Sequence, residues 1–179
     1  MKRGEFLKRT ASGALIASLF PASLAAFAKN AKIAPASIKI IRDGEGQKVN
    51  VIGDNMTFKL RGAATNGQFV LIEQNNEPGT GIPLHVHENE DEVFRILEGS
   101  VEFETAGKKE TLKAGDVIFC PRGVPHTWKV TGTKKAKVDL SFFPAGLEYM
   151  FDELGSLPEG PPDMGRITEI CGRYGIRFI

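Results

Sequence analysis

The chain is short of the residues that usually mark a site. Among 179 residues there are two Cys, three His, one Trp and two Tyr. Two thiols cannot build a disulfide-dense scaffold or close a four-thiolate zinc site. Neither charge sign dominates: 23 Lys and Arg stand against 22 Asp and Glu, a formal net charge of +1. That balance argues against nucleic acid as a partner, which calls for a basic face. Internal repeats and low-complexity segments are absent. The rest is an ordinary globular mixture, 41% hydrophobic and 25% charged, of a length that suits one domain with a short appendage. With only three histidines, where they fall carries most of the argument.

The N-terminus reads as an address. Lys2, Arg3, Lys8 and Arg9 precede a charge-free run from Thr10 to Ala28, which ends in Ala26-Phe27-Ala28. Basic, apolar, then small with an A-x-A end is the secretory signal pattern, and residues 1–28 are assigned to it. A retained anchor is the other reading, but Pro21 and the many Ser, Ala and Gly residues make the run weakly hydrophobic. After cleavage no stable membrane anchor is expected. Arg3-Gly4-Glu5-Phe6-Leu7-Lys8 resembles a twin-arginine signal with Gly4 in place of the second arginine, so the twin-arginine and general secretory routes both stay open. Either predicts a periplasmic or extracellular protein. Removing residues 1–28 takes four basic and one acidic side chain, and turns +1 into −2.

Residues 29–47 read as an extended lead-in. From 48 to 143 short segments alternate apolar and polar residues. Phe58 and Leu60 alternate with Lys59, Val101 and Phe103 with Glu102, His126, Trp128 and Val130 with Thr127 and Lys129, and Val138, Leu140 and Phe142 with Asp139 and Ser141. Turn residues punctuate them, with a break placed at Asn75-Asn76-Glu77-Pro78-Gly79. Period two with close turns predicts an all-β antiparallel sandwich or barrel. After Pro144 the period changes. Leu147, Met150, Phe151 and Leu154 share a helical face, and Asp163 reads as the cap of a second helix carrying Ile167, Ile170 and Cys171. Residues 144–179 therefore form a helical tail. Cys120 and Cys171 read as buried free thiols, with pairing after export as the other arrangement.

His85 and His87 stand at i, i+2, which on a strand puts both imidazoles on one face. Glu92 follows five residues later, and His126 begins a later strand. Three imidazoles and a carboxylate converging in a barrel would make a nitrogen-rich site for one divalent transition metal. A lone His-x-His is weak, however, and Glu88-Asn89-Glu90-Asp91-Glu92 also reads as a solvated acidic loop.

The glycine and proline framework narrows this. Five residues separate Gly79 from His85-x-His87, four more separate His87 from Glu92, and six more separate Glu92 from Gly99. Downstream, five residues separate Gly115 from Pro121-x-Gly123, and two more separate Gly123 from His126. These spacings resemble the two motifs of the cupin family. The phrases around them, Gly81-Ile-Pro-Leu-His-Val-His and Pro121-Arg-Gly-Val-Pro-His126, are similar to quercetin 2,3-dioxygenase-type cupins. Val130 stands where the second motif usually ends in Asn, a position that is not a metal ligand in the family.

The resemblance implies a double-stranded β-helix, or jelly-roll, barrel. In it His85, His87, Glu92 and His126 hold a metal, with Glu90 as a less fitting rival ligand. Gly99 and Gly115 would close turns where a side chain would clash. Iron, manganese, nickel, cobalt, copper and zinc all accept such a donor set. The implied activity is a dioxygenase acting on a small oxygenated aromatic or flavonol-like compound, with Glu92 both ligand and catalytic base. The inward set expected around the substrate is Phe94, Ile96, Phe103, Phe119, Trp128 and Phe142, with Met150 as a lid. Two other functions share the scaffold: a metal-dependent isomerase or lyase on a sugar or hydroxy acid, and a non-enzymatic small-molecule binder. A homodimer is the family expectation.

Overall fold

A computed structural model describes residues 37–158 and 160–179. The signal assignment, its cleavage point and the start of the lead-in lie outside the described residues. Positions 37–46 contain no strand or helix.

The alternating segments form strands. They are β1 (Gln47–Val51), β2 (Asp54–Leu60), β3 (Val70–Asn76), β4 (Gly81–His87), β5 (Asp91–Glu98), β6 (Ser100–Thr105), β7 (Lys108–Lys113), β8 (Val117–Cys120), β9 (His126–Thr131) and β10 (Ala136–Phe143). Then come α1 (Glu148–Gly155), α2 (Met164–Arg173) and a last short strand, β11 (Ile176–Phe178). β3, β5, β6, β9 and β10 bury every second side chain against the facing sheet, whereas β7 stays exposed except at half-buried Leu112. The strands make two sheets, in the orders β1-β2-β3-β10-β5-β8 and β11-β4-β9-β6-β7. All their pairings are antiparallel. Side chains of both sheets meet in one core. The Phe94 ring of the first packs against Phe103 and Trp128 of the second, at 4.9 and 6.4 Å between centroids. This is the jelly-roll barrel that the alternation and the motif spacing predict.

Register sorts the interior of the first sheet into rows. Glu92, Phe142 and Val70 lie across one row. Phe94, Leu140, Ile72 and Phe58 lie across the next, and Ile96, Val138, Gln74 and Met56 across the third. The row that begins with a carboxylate is therefore two rows from the one that contains an amide.

Both tail helices form as their apolar spacing predicts. α1 buries Met150, Phe151 and Leu154, and α2 buries Ile167, Ile170 and Cys171. The Asp163 carboxylate accepts the Arg166 N–H and caps α2 at 3.0 Å. The tail is not wholly helical, because β11 returns to the second sheet and pairs with β4 opposite His85 and His87. Three residues are too few to show a period. The strand exists because β4 offers it an open edge. Cys120 and Cys171 are free and buried.

α1 is pinned by a buried glutamate. Glu148 accepts the N–H of Gly62 at 2.9 Å and of Gly146 at 2.7 Å. Arg61 pairs with Asp152 on the same helix, and its guanidinium lies 4.6 Å from the Phe58 ring centroid. Replacing Glu148 by Ala leaves two N–H groups without these acceptors. We expect Glu148→Ala to lower the unfolding free energy by about 2–4 kcal/mol, read from urea titration. An unchanged midpoint would show that water replaces both bonds.

Candidate metal centre and its cavity

The four residues singled out by the spacing come together from three strands. β4 carries His85 and His87, β9 carries His126, and β5 carries Glu92 from the opposite sheet. His85 and His126 are register partners. One potential ligand atom from each of the four lies within 4.8 Å of the others, and all four residues are buried. His85 Nε2 is 3.0 Å from His87 Nε2, which is 3.2 Å from Glu92 Oε2, which is 2.6 Å from His126 Nε2.

The outer ring nitrogens decide what those inner atoms present. His85 Nδ1 is 3.0 Å from the Pro83 carbonyl oxygen, and His126 Nδ1 is 3.0 Å from that of Val124. A carbonyl only accepts, so each Nδ1 carries the proton and each Nε2 turns a lone pair inward. Glu92 Oε2 and His126 Nε2 are close, but neither has a hydrogen-bond partner of proper geometry. Two lone pairs opposed at this distance repel unless a cation lies between them. Burial drives the His85 pKa down to about 4 against the pull of Glu92, so this imidazole is neutral and free to ligate. For His126 burial also works downward, but the Glu92 carboxylate outweighs it and the pKa is raised. Buried three-nitrogen, one-oxygen donors with their lone pairs converging fit a divalent transition metal.

A bracket of hydrogen bonds aligns the two loops that carry these ligands. The Gly123 N–H donates to the His87 carbonyl at 2.8 Å. The Arg122 N–H and Nε donate to Asp91 Oδ1 at 2.9 and 3.0 Å, and Arg122 Nη2 to Asp91 Oδ2 at 3.0 Å. The guanidinium holds the Asp91 carboxyl down at about 2. Asp91 belongs to the run that reads in sequence as a solvated loop, yet here it ties the Pro121–Pro125 turn in place. Glu90 is also buried. It stands behind His87, with Oε2 3.9 Å from the outer Nδ1, and is not in the cluster of four. Gly99 fits the expected clash, since a Cβ there would strike the Lys135 carbonyl. Gly115 differs: a Cβ meets nothing, and glycine is favoured there by its φ of +98°.

A cavity of about 210 Å³ opens from the cluster. His85, His87 and Glu92 form its inner end. Trp128, Phe142 and Met150 line it as expected, joined by Phe151 and Leu154 from α1 and Ile167 from α2. The other expected lining residues are elsewhere. Phe94, Ile96 and Phe103 are buried in the barrel core and do not reach this cavity. Phe119 is 58% exposed and points outward. The reason is register: Cys120 stands opposite Glu92 and shares its inward face, so its neighbour Phe119 turns away. The outer end of the cavity includes Asp54 and Gln74, which sequence reasoning did not select. Asn75-Asn76 reads as a turn, but the strand runs through to Asn76, with Gln74 and Asn76 facing in. Burial, opposed by hydrogen bonds from Asn76 and Gln74, raises the Asp54 carboxyl to about 6.

Comparison with known proteins now bears on this geometry. The cupin-domain family model matches residues 72–147, a span that holds all four clustered residues. The oxalate-binding protein of Thermotoga maritima is 32% identical over 115 residues, 64% of this chain and 87% of that protein. The chain is a cupin. The cupin is also 29% identical over 91 residues to quercetin 2,3-dioxygenase of Bacillus subtilis, which is 51% of this chain but only 27% of that enzyme. Among solved structures it resembles a predicted oxalate decarboxylase from Thermotoga maritima. The TM-score is 0.54 at 27% identity, over 59% of this chain and 99% of that one.

If the cluster is a metal site, protein purified without chelators should carry one divalent transition metal per chain by elemental analysis. His87→Ala should retain less than about a tenth of it, because a lost ligand costs at least as much as the 10–100-fold typical of a lost supporting contact. Equal metal in parent and variant would remove His87 from the ligand set.

Proposed function

We propose that this cupin is a metal-dependent dioxygenase for small hydroxylated aromatic compounds, with flavonol-like molecules as the model class. One observation carries the reading: a buried three-histidine, one-glutamate cluster opens into a cavity walled by Trp128, Phe142, Phe151 and Phe178, with no Lys or Arg in its lining. Such a surface takes an aromatic ring. His85, His87, Glu92 and His126 would hold the metal, which would supply Lewis-acid and oxygen-activating chemistry at the inner end of the cavity. Glu92 takes the proton from that hydroxyl onto its carboxylate as the substrate seats. Trp128 and Phe142 orient the ring, and Met150, Phe151 and Leu154 of α1 exclude water.

A second reading follows from the oxalate-binding relative, of which the cupin covers 87%. It would make this cupin a binder of, or lyase for, a small acid. The lining weighs against it. Its charged side chains other than histidine are Asp54 and Glu92, both acidic, and a dianion meets no cation from the protein.

Oxygen uptake with flavonols, catechols and oxalate separates the two readings. Uptake with the aromatic compounds and none with oxalate is expected. Glu92→Gln keeps an oxygen ligand but a much poorer base, so turnover should drop about a hundred-fold or more while metal content stays within about two-fold. Turnover of oxalate alone would overturn the proposal.

We also propose that the cupin works outside the cytoplasm, on the strength of the basic, uncharged and A-x-A order in residues 2–28. Mass analysis of the exported protein should find Lys29 at its N-terminus. Full-length protein confined to the cytosol would contradict this.

A further inference from the structure

The cavity has a second polar end. Gln74 lies two rows beyond the row of Glu92, since Val70 shares that row and Gln74 follows it by four residues on β3. At about 3.3 Å per residue this places the amide roughly 13 Å along the strand direction from the metal end. Asp54 lies beside it, at the start of β2. Ile52 and Met164, half exposed, mark where this end of the cavity meets solvent.

The chemistry of this end is one-sided. Asp54 Oδ1 accepts from Asn76 Nδ2 at 2.6 Å, and Oδ2 accepts from Gln74 Nε2 at 2.7 Å. A carboxylate oxygen can accept two hydrogen bonds, so each keeps one free. Gln74 is 2% exposed, and with Nε2 engaged on Asp54 its Oε1 has no donor among the described residues. Asn76 is engaged on both sides, because its Oδ1 also accepts the Asn55 N–H at 2.8 Å. Beside walls that are otherwise apolar, the larger remaining capacity is to accept, with one free site on each Asp54 oxygen and on Gln74 Oε1, against the second N–H of Gln74 Nε2 and of Asn76 Nδ2. A ligand that donates hydrogen bonds satisfies the larger share of it.

We propose that Asp54 and Gln74 are specificity-determining residues: they form an accepting pole that selects elongated aromatic ligands bearing hydroxyl groups at the end remote from the metal. This rests on the reading of the cupin as acting on hydroxylated aromatics, and it adds the second point at which the ligand is held. The first hydroxyl seats at Glu92 and the histidines. The outer ring donates to Asp54 and Gln74, and the walls between make only apolar contact.

Trp128 lines the cavity and is the only tryptophan of the chain, so its fluorescence reports binding without turnover. The metal-loaded full-length protein is titrated without oxygen with two flavonols that differ only in the outer ring, one bare and one with two adjacent hydroxyls. The parent should bind the hydroxylated flavonol about ten-fold tighter or more. In Asp54→Asn and in Gln74→Leu the two flavonols should bind within about two-fold of each other. Either variant that keeps its far-ultraviolet circular dichroism suffices for the test. Equal binding of both flavonols by the parent overturns the pole and leaves the aromatic reading standing. Persistent preference in a folded variant overturns it as well, and reduces the cluster to a brace for the β1–β2 turn. If neither flavonol quenches Trp128, the aromatic reading itself falls and takes the pole with it.

Discussion

Two atoms that both offer lone pairs, Glu92 Oε2 and His126 Nε2, face each other at 2.6 Å in the interior of this cupin. Left to themselves they would separate or share a proton. They are held because each belongs to a different sheet, and the sheets are fastened elsewhere by a continuous apolar core. The inner nitrogens of His85 and His126 are set by their outer ones. Main-chain carbonyls two residues upstream take the outer protons of His85 and His126, leaving the inner nitrogens bare. The Arg122–Asp91 bracket and the Gly123–His87 hydrogen bond then hold the two ligand-bearing loops against each other. The fold thus spends rigid backbone to keep a cluster that is stable only around a cation.

The cavity follows from how the barrel is filled. At the level of Phe94 the interior is filled by large side chains from both sheets. Space survives where α1 and α2 cover the barrel, with Met150, Phe151, Leu154 and Ile167 lining it and the Phe151 ring resting on Phe58 and Phe142 of the sheet. That makes the tail part of the site. Glu148 and the Arg61–Asp152 pair fix its height above the strands. The result is a slot with polar groups at both ends and apolar walls between.

Much of this was legible along the chain. The i, i+2 spacing of His85 and His87 is a same-face signal by strand geometry alone, and Glu92 and His126 joined them through motif spacing. The helical faces of the tail and the Asp163 cap were equally readable, since both are local patterns. What failed to show depended on context. Phe119 reads as an inward aromatic, and only its pairing opposite Val93 turns it to solvent. Asn75-Asn76 carries turn chemistry, but β10 and β2 lie alongside and draw the strand onward until Gln74 and Asn76 face the interior. β11 is too short for any period, and Asp91 and Glu90 look like members of one acidic run until one is bound to Arg122 and the other buried behind His87.

The sequence by itself determined the all-β class, the same-face pair His85 and His87 and the amphipathic tail, because each depends on spacing within a few residues, while Glu92 and His126 were reached through the resemblance to the family's two motifs. The tertiary structure decided which aromatic residues reach the cavity and which stay in the core. It also gave the roof its position, and it placed an acidic and amide pair at the far end of the slot. These features depend on register between strands distant in the chain. A shift of one residue there would exchange every inward side chain for its outward neighbour.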